Sequence, residues 1–238
     1  MLSSGWHAWA GPRIVLLTRV PSPGRAKTRL AATIGDSAAA DAAQAFLEDS
    51  IALAVAAAGR VGGRVVVHTD PDAPGEALLV LLSRLGAAHA PQGPGGLGAR
   101  LRRALEVAPT AARVVLGSDA PDLPGEHLVS ALRLVEQVPV VLGPTTARDG
   151  GFHLLALAPG APAAWLEGPL RWSTPHALAD AEAAARAAGL AVGKGPPWPD
   201  VDDEVDLRAL EARLVGSPDP TTAPRTRAWL LRQRPAPP

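Results

Sequence analysis

Short apolar runs alternate with longer helical patterns along most of this chain. Arg13–Arg19 (RIVLLTR) is apolar at consecutive positions, which predicts a strand buried on both faces. Gly63–Thr69 (GRVVVHT) and the start of Ala112–Pro124 (ARVVLGSDAPDLP) repeat that signal. Between them, Ser37–Ala58 has the composition of a long helix, with Asp36 placed as its N-cap and Gly59 as its stop. Gly75–Gly86 predicts a short amphipathic helix. Pro91–Leu101 reads as a glycine-rich loop entering a helix that ends near Val107, and Gly125–Gln137 as another helix.

The rhythm changes after Gln137. Val138–Pro144 and Gly151–Pro159 predict two strands joined by a short loop, as an antiparallel hairpin or as neighbours. Thr174–Gly189 reads as a helix with Pro175 in its first turn, and Leu190–Pro196 as a weak strand. Asp203–Leu214 reads as a helix, Gly216–Arg225 as a linker and Thr226–Arg234 as a terminal helix. The expected organisation is an extension over residues 1–12, a domain over 13–215 and a tail over 216–238.

Alternating strands and helices predict an α/β fold with a mainly parallel, mixed sheet. Ligands of such sheets lie beyond the carboxyl ends of the strands. Three polar segments directly follow predicted strands: PSPGRAKTRL, GSDAPDLP and TTARDGG. They are expected to meet at one edge of the sheet.

Composition narrows the chemistry. The 238 residues carry 23 basic and 23 acidic side chains, so net charge gives no support for nucleic-acid binding. There is no cysteine, which excludes disulfides, zinc–thiolate sites and a cysteine nucleophile. The six histidines show no close metal-ligand pairing. The first residues carry no signal-peptide pattern, and the apolar run Ile51–Gly59 is shorter than a membrane span. A cytoplasmic protein without a membrane span is the expectation.

The loop Pro21–Leu30 carries Lys27-Thr28 but not a P-loop, because Pro21 and Ala26 stand where that motif needs glycine. It would act through side chains: Lys27 as a point charge and Arg29 as a planar fork, both suited to phosphate oxygens. A solvated basic turn is the other reading. Asp119 and Asp122 follow a buried strand. Oxygen ligands suit Mg²⁺ or Mn²⁺, so Asp119 is the metal candidate and Asp122 the helix cap. In PDVDDEVDL, residues 199–207, an EF-hand register fails because Val205 stands where glycine is required. Asp203 and Glu204 then read as an acidic helix start, and Asp202 as a second metal ligand. Asp149 reads as an acceptor contact or general base, Trp172 as core or a stacking platform, and Ser173 or Thr174 as a helix N-cap.

In order, TRVPSPGRAKTRL, GGLGARL, GSDAPDLP, VVLGP…DGGFHLLAL, WSTP and PDVDDEVDL resemble a bacterial family of GT-A-like glycosyltransferases. That family is catalogued as a domain of unknown function, or as radical-SAM/selenodomain-associated and arsenosugar-biosynthesis-type transferases. The resemblance spans about Arg13 to Leu214. The chain is also similar to nucleotidyltransferases that activate phospholactate or molybdopterin. The resemblance implies a GT-A nucleotide-diphospho-sugar transferase-like sandwich with Mg²⁺ or Mn²⁺ held by Asp119 and Asp202. Lys27 and Arg29 would be catalytic on the phosphates, and Pro23, Gly24, Gly96, Gly98 and Arg100 would contact the nucleotide. Asp149, also catalytic, would face the acceptor with Gly150, Gly151 and Trp172. Arg148 and Phe152 flank Asp-Gly-Gly where the family usually has an acidic residue and a tyrosine.

The expected function is a metal-dependent glycosyltransferase acting on a nucleoside-diphosphate sugar and a small acceptor. The alternatives are a nucleotidyltransferase that takes an NTP and releases pyrophosphate, and a non-catalytic nucleotide-binding domain.

Overall fold

The computed structural model describes residues 11–146 and 150–233. In chain order the elements are β1 (Arg13–Arg19), α1 (Thr28–Ile34), α2 (Asp36–Arg60), β2 (Arg64–Asp70), α3 (Glu76–Leu85), β3 (Ala88–Pro91), α4 (Leu97–Glu106) and β4 (Arg113–Leu116). They continue with α5 (Gly125–Leu134), β5 (Val140–Pro144), β6 (Phe152–Leu157), a 3-10 turn at Ala164–Glu167, α6 (Ala177–Ala187), β7 (Val192–Lys194), α7 (Glu204–Gly216) and α8 (Pro224–Gln233). The strands form one sheet in the order β3-β2-β1-β4-β6-β5-β7. Only β6 runs against its neighbours, antiparallel to both β4 and β5, among otherwise parallel strands. The expected mixed, mainly parallel α/β fold is what forms.

The central strands bury both faces because a parallel sheet is covered on both sides. Ile14, Leu16, Val65, Val67, Val114 and Leu116 face a core with Leu47 and Ile51 of α2 and Leu128 and Leu132 of α5. Val15, Val66, Val115 and Leu155 face a second core with Leu101 and Leu105 of α4, Trp165 and Leu166. A third core gathers Leu30 of α1, Phe46 of α2, Leu207 and Leu210 of α7 and Trp229 of α8. The tail helix is therefore packed into the domain. Asp49 accepts hydrogen bonds from Arg225 N, Thr226 N and Thr226 Oγ1 at 2.7–3.0 Å, anchoring the start of α8.

Several boundaries differ from the expectation. The N-cap of α2 is Gly35, so Asp36 lies in the first turn and makes no capping bond with its side chain. Gly59 lies within α2; the helix ends where Gly62 takes φ 62° and Gly63 N reaches back to Ala58 O at 2.8 Å. β3 carries no β-branched residue, which is why it was not anticipated. Among the described residues one helix, Asp36–Arg60, is long and apolar enough to cross a membrane by length and composition. Its alanine-rich faces instead pack in the cores of this fold.

Candidate active site

β1 and β4 are neighbours whose following connections run to opposite halves of the sheet, and their carboxyl ends open a crevice. Thr18 Oγ1 of β1 and Ser118 Oγ after β4 lie 3.0 Å apart across it. The loop after β1 folds on itself through Arg25 N and Ala26 N donating to Ser22 O, with Gly24 at φ 74°. It delivers Lys27 to the start of α1 in the left-handed region, at φ 46° and ψ 51°. A residue with a Cβ holds that conformation at a cost of roughly 1–3 kcal/mol, so the surroundings must over-determine it.

They do so through the side chain. Lys27 Nζ donates to Asp119 Oδ1 and, at 2.6 Å, to Val201 O, and it lies 3.6 Å from Asp202 Oδ1. The side chain is only 8% exposed. Burial alone would lower its pKa, but the Asp119 and Asp202 carboxylates outweigh that and leave it raised, so the ammonium is charged. Arg29 is an exposed cation 3.5 Å from Asp202 Oδ2. Asp119 is half exposed, and its carbonyl accepts from Val201 N at 2.9 Å, joining the loop after β4 to the acidic segment. Asp203 caps α7 by accepting from Val205 N and Asp206 N, and Asp206 reaches back to Asp202 N and Asp203 N. That capping box fixes the backbone beside Asp202. The acidic helix start expected of Asp203 and Glu204 is thus present.

Two cavities adjoin here. One of about 410 Å³ is basic and hydroxylic, lined by Thr18, Arg19, Arg25, Lys27, Arg29 and Ser118. The other, about 300 Å³, is lined by Leu97, Leu101, Phe152, Trp172 and Asp200. Leu17, Asp119, Ser173 and Asp202 line both. Among the described residues no group of three or more His, Asp or Glu side chains is disposed to hold a metal ion by itself. Asp119 and Asp202 nevertheless fit a hard divalent cation, because both offer carboxylate oxygens to one positive centre, here the Lys27 ammonium. Two carboxylates with phosphate oxygens completing the shell is a common arrangement for Mg²⁺.

The bacterial family described as "Uncharacterized protein conserved in bacteria (DUF2064)" matches residues 28–174. This chain belongs to that family. It is 35% identical over 217 residues to a phosphoenolpyruvate guanylyltransferase of Streptomyces avermitilis, covering 87% of this chain and 89% of that one. It is 40% identical over 144 residues to a 3-phospho-D-glycerate guanylyltransferase of Phenylobacterium zucineum, covering 58% and 63%. A protein of Desulfovibrio desulfuricans G20 assigned as a nucleotide-diphospho-sugar transferase superposes with a TM-score of 0.79 at 26% identity, over 94% of this chain and 95% of that one. A cytidylyltransferase of Leptospira borgpetersenii shares the fold, at a TM-score of 0.53 and 13% identity. The relatives are transferases, and the guanylyltransferases among them favour the nucleotidyltransferase alternative over glycosyl transfer.

The other anticipated residues divide. Gly151 and Trp172 line the second cavity, and Trp172 meets Phe152 edge-on with ring centroids 6.1 Å apart. Pro23, Gly24, Gly96, Gly98, Arg100 and Gly150 line neither cavity. A Cβ on Gly98 would come 2.0 Å from Leu166 O, and one on Gly150 2.4 Å from Pro175 O, so close packing requires both glycines. Arg100 donates to Asp70 Oδ2, Gln92 Oε1 and Gly95 O, bracing the glycine-rich loop, and it holds the Asp70 carboxyl below the usual range. Asp149 lies outside the described residues. Asp122 does not cap α5: it is buried, pairs with Arg213 at 2.7 Å and accepts from Trp198 Nε1. Neither Ser173 nor Thr174 is the N-cap of α6, which begins after His176. Ser173 instead sits at φ 58° at the junction of the cavities.

Three residues were missed. Asp200 lines the second cavity and accepts from Thr145 Oγ1 at 2.9 Å, bringing the loop after β5 to the site. Its place among five acids in Asp200–Asp206 was the available signal. Gln92, buried, donates to the Thr18 and His68 carbonyls and holds the ends of β1 and β2; nothing in the sequence singled it out. Ser118 shares the crevice with Thr18, and its place directly before Asp119 at a strand end was the signal.

Proposed function

We propose that this chain is a metal-dependent guanylyltransferase that transfers GMP from GTP to the phosphate of a small phosphorylated acid. The observation that carries the reading is the junction itself. A basic cavity abuts two carboxylates, Asp119 at the end of the parallel strand β4 and Asp202 just before α7. The 35% identity to a phosphoenolpyruvate guanylyltransferase along 89% of its length supports the choice of reaction and nucleotide.

In this reading Lys27, Arg29, Arg19 and Arg25 face the triphosphate. An acceptor phosphate oxygen attacks the α-phosphorus, the bond from it to the bridging oxygen of the β-phosphate breaks, and pyrophosphate leaves. Negative charge grows on that leaving group, and fixed cations stabilise it without covalent help. Asp119 and Asp202 would hold Mg²⁺ or Mn²⁺, whose contribution when bound is to neutralise phosphate charge. An acceptor phosphate is already a nucleophile near neutral pH, so no general base is required of the chain.

The test is pyrophosphate release from GTP with Mg²⁺ and phosphoenolpyruvate or 3-phosphoglycerate, beside ATP, CTP and nucleoside-diphosphate sugars. Acceptor-dependent pyrophosphate from GTP is the expected result. Nucleoside diphosphate released from a sugar donor, with every NTP inert, would overturn it.

A further inference from the structure

The Lys27 ammonium stands where a metal's ligands would be used. It donates to Asp119 Oδ1 and Val201 O and faces Asp202 Oδ1 at 3.6 Å. The contact is built in rather than a surface accident. The backbone at Lys27 is held in the left-handed region, and the side chain is almost wholly buried. Its Nζ also lies over the Phe46 ring, 5.8 Å from the ring centroid.

We infer that Lys27 is a tethered counter-cation that competes with a divalent metal for the Asp119 and Asp202 carboxylates, yielding them when a phosphate chain draws the ammonium away. The local charge supports this. Asp119, Asp202 and the nearby Asp200 contribute three negative charges, and Lys27 and Arg29 two positive ones, so the five sum to a single negative charge, against two without Lys27. A divalent cation arriving alone meets a largely neutralised cluster and a like charge on its ligands. A polyphosphate arriving in the basic cavity supplies negative charge beside Lys27, which lines that cavity. A lysine stem rotates readily about its four carbon–carbon bonds, so the ammonium can pass from carboxylate to phosphate while its backbone stays fixed. Metal and nucleotide are then taken up together, and metal alone is held weakly. The inference rests on the reading of the site as one for a metal and a nucleotide, but its test needs no nucleotide.

Titrate Mn²⁺ alone into metal-free protein by calorimetry. Lys27→Met, and Lys27→Gln, which keeps a donor for the Val201 carbonyl, are expected to bind Mn²⁺ at least tenfold more tightly than the wild type. Asp119→Asn added to either variant is expected to remove the gain. Arg29→Met removes an exposed positive charge beside the same site and is expected to change affinity less than threefold. The chain has two lysines, Lys27 and the exposed Lys194, so the wild type offers a second readout. As Mn²⁺ saturates, acylation of Lys27 relative to Lys194 is expected to rise. Lys27 variants that bind Mn²⁺ no more tightly than the wild type, an equal gain from Arg29→Met, or a labelling ratio that stays constant or falls at saturation would each overturn the inference. Pyrophosphate release from GTP is a separate measurement, so failure of the one does not carry the other.

Discussion

Lowering the pH from 7 to 5 should destabilise this fold through two buried histidines. His68 and His153 are 2% and 9% exposed. Each ring donates from Nδ1 to a carbonyl, Pro91 O and Pro144 O, at 3.0 Å. Each Nε2 is buried without a partner. Burial therefore pushes both imidazoles from 6.5 down to about 4, with His89 and Arg103 near His68 and His127 near His153 adding to the shift. A histidine lowered in the folded state contributes stability that is fully present above pH 6.5 and is lost as pH falls towards 4. Between pH 7 and 5 the unfolded chain takes up the protons and the folded chain does not. With an unfolded pKa near 6.5, that linkage amounts to about 2 kcal/mol for each ring over this interval, or about 4 kcal/mol together. Domains are typically stable by only about 5–15 kcal/mol, so the loss would be large. Asparagine can keep the donor at the Nδ1 position without titrating. The assay is urea unfolding followed by circular dichroism at pH 7, 6 and 5, on the wild type and on the double variant His68→Asn/His153→Asn. The wild type is expected to lose about 4 kcal/mol more than the variant over this range. Parallel losses, agreeing within roughly 1 kcal/mol, would refute the reasoning, since the remaining titrating groups are common to both proteins.

Three further outcomes follow from the geometry. Lys27→Ala is expected to weaken GTP about tenfold or more, at roughly 1.5–3 kcal/mol for a charge-assisted contact, while barely changing guanosine binding; calorimetry with both ligands checks it. Gly98→Ala should destabilise by about 1–3 kcal/mol, because its Cβ would meet Leu166 O at 2.0 Å; unchanged unfolding would return Gly98 to the list of ligand contacts. Asp49→Ala should cost about 2–4 kcal/mol by removing the acceptor for Arg225 N, Thr226 N and Thr226 Oγ1, and hydrogen exchange should show α8 losing protection first.

The fold was readable where apolar periodicity was strong. RIVLLTR, GRVVVHT and ARVVLG have no alternation, which is the mark of strands covered on both faces, and they became β1, β2 and β4. The parts not read depend on partners distant in sequence. Ala88–Pro91 has no strand propensity of its own and pairs only because β2 offers a free edge. Gly59 looked like a stop, yet Gly62 ended α2, because either glycine can adopt φ > 0 and neighbouring contacts decide which one does. The C-terminal helix looked like a tail because its docking residue, Asp49, lies 176 residues away from Arg225.

At the site, the sequence singled out charged residues but not how they are arranged. Lys27, Arg29, Asp119 and Asp202 were identifiable because charged residues after buried strands have few structural reasons to be there. The structure links the four through ion pairs of Lys27 with Asp119 and Asp202 and of Arg29 with Asp202. The failures came where one residue type serves two purposes. Asp122 and Asp119 are three residues apart at the same strand end, yet Asp122 is buried against Arg213 while Asp119 is half exposed in the crevice. The resemblance implies Gly98 at the nucleotide and Gly150 at the acceptor; in the fold the atoms nearest their missing Cβ are the Leu166 and Pro175 carbonyls. Other glycines, such as Gly35, Gly62 and Gly86, serve a turn at positive φ with nothing near the missing Cβ. At the site the strain sits on residues that carry a Cβ: Lys27, which lines the basic cavity, and Ser173, which lines both.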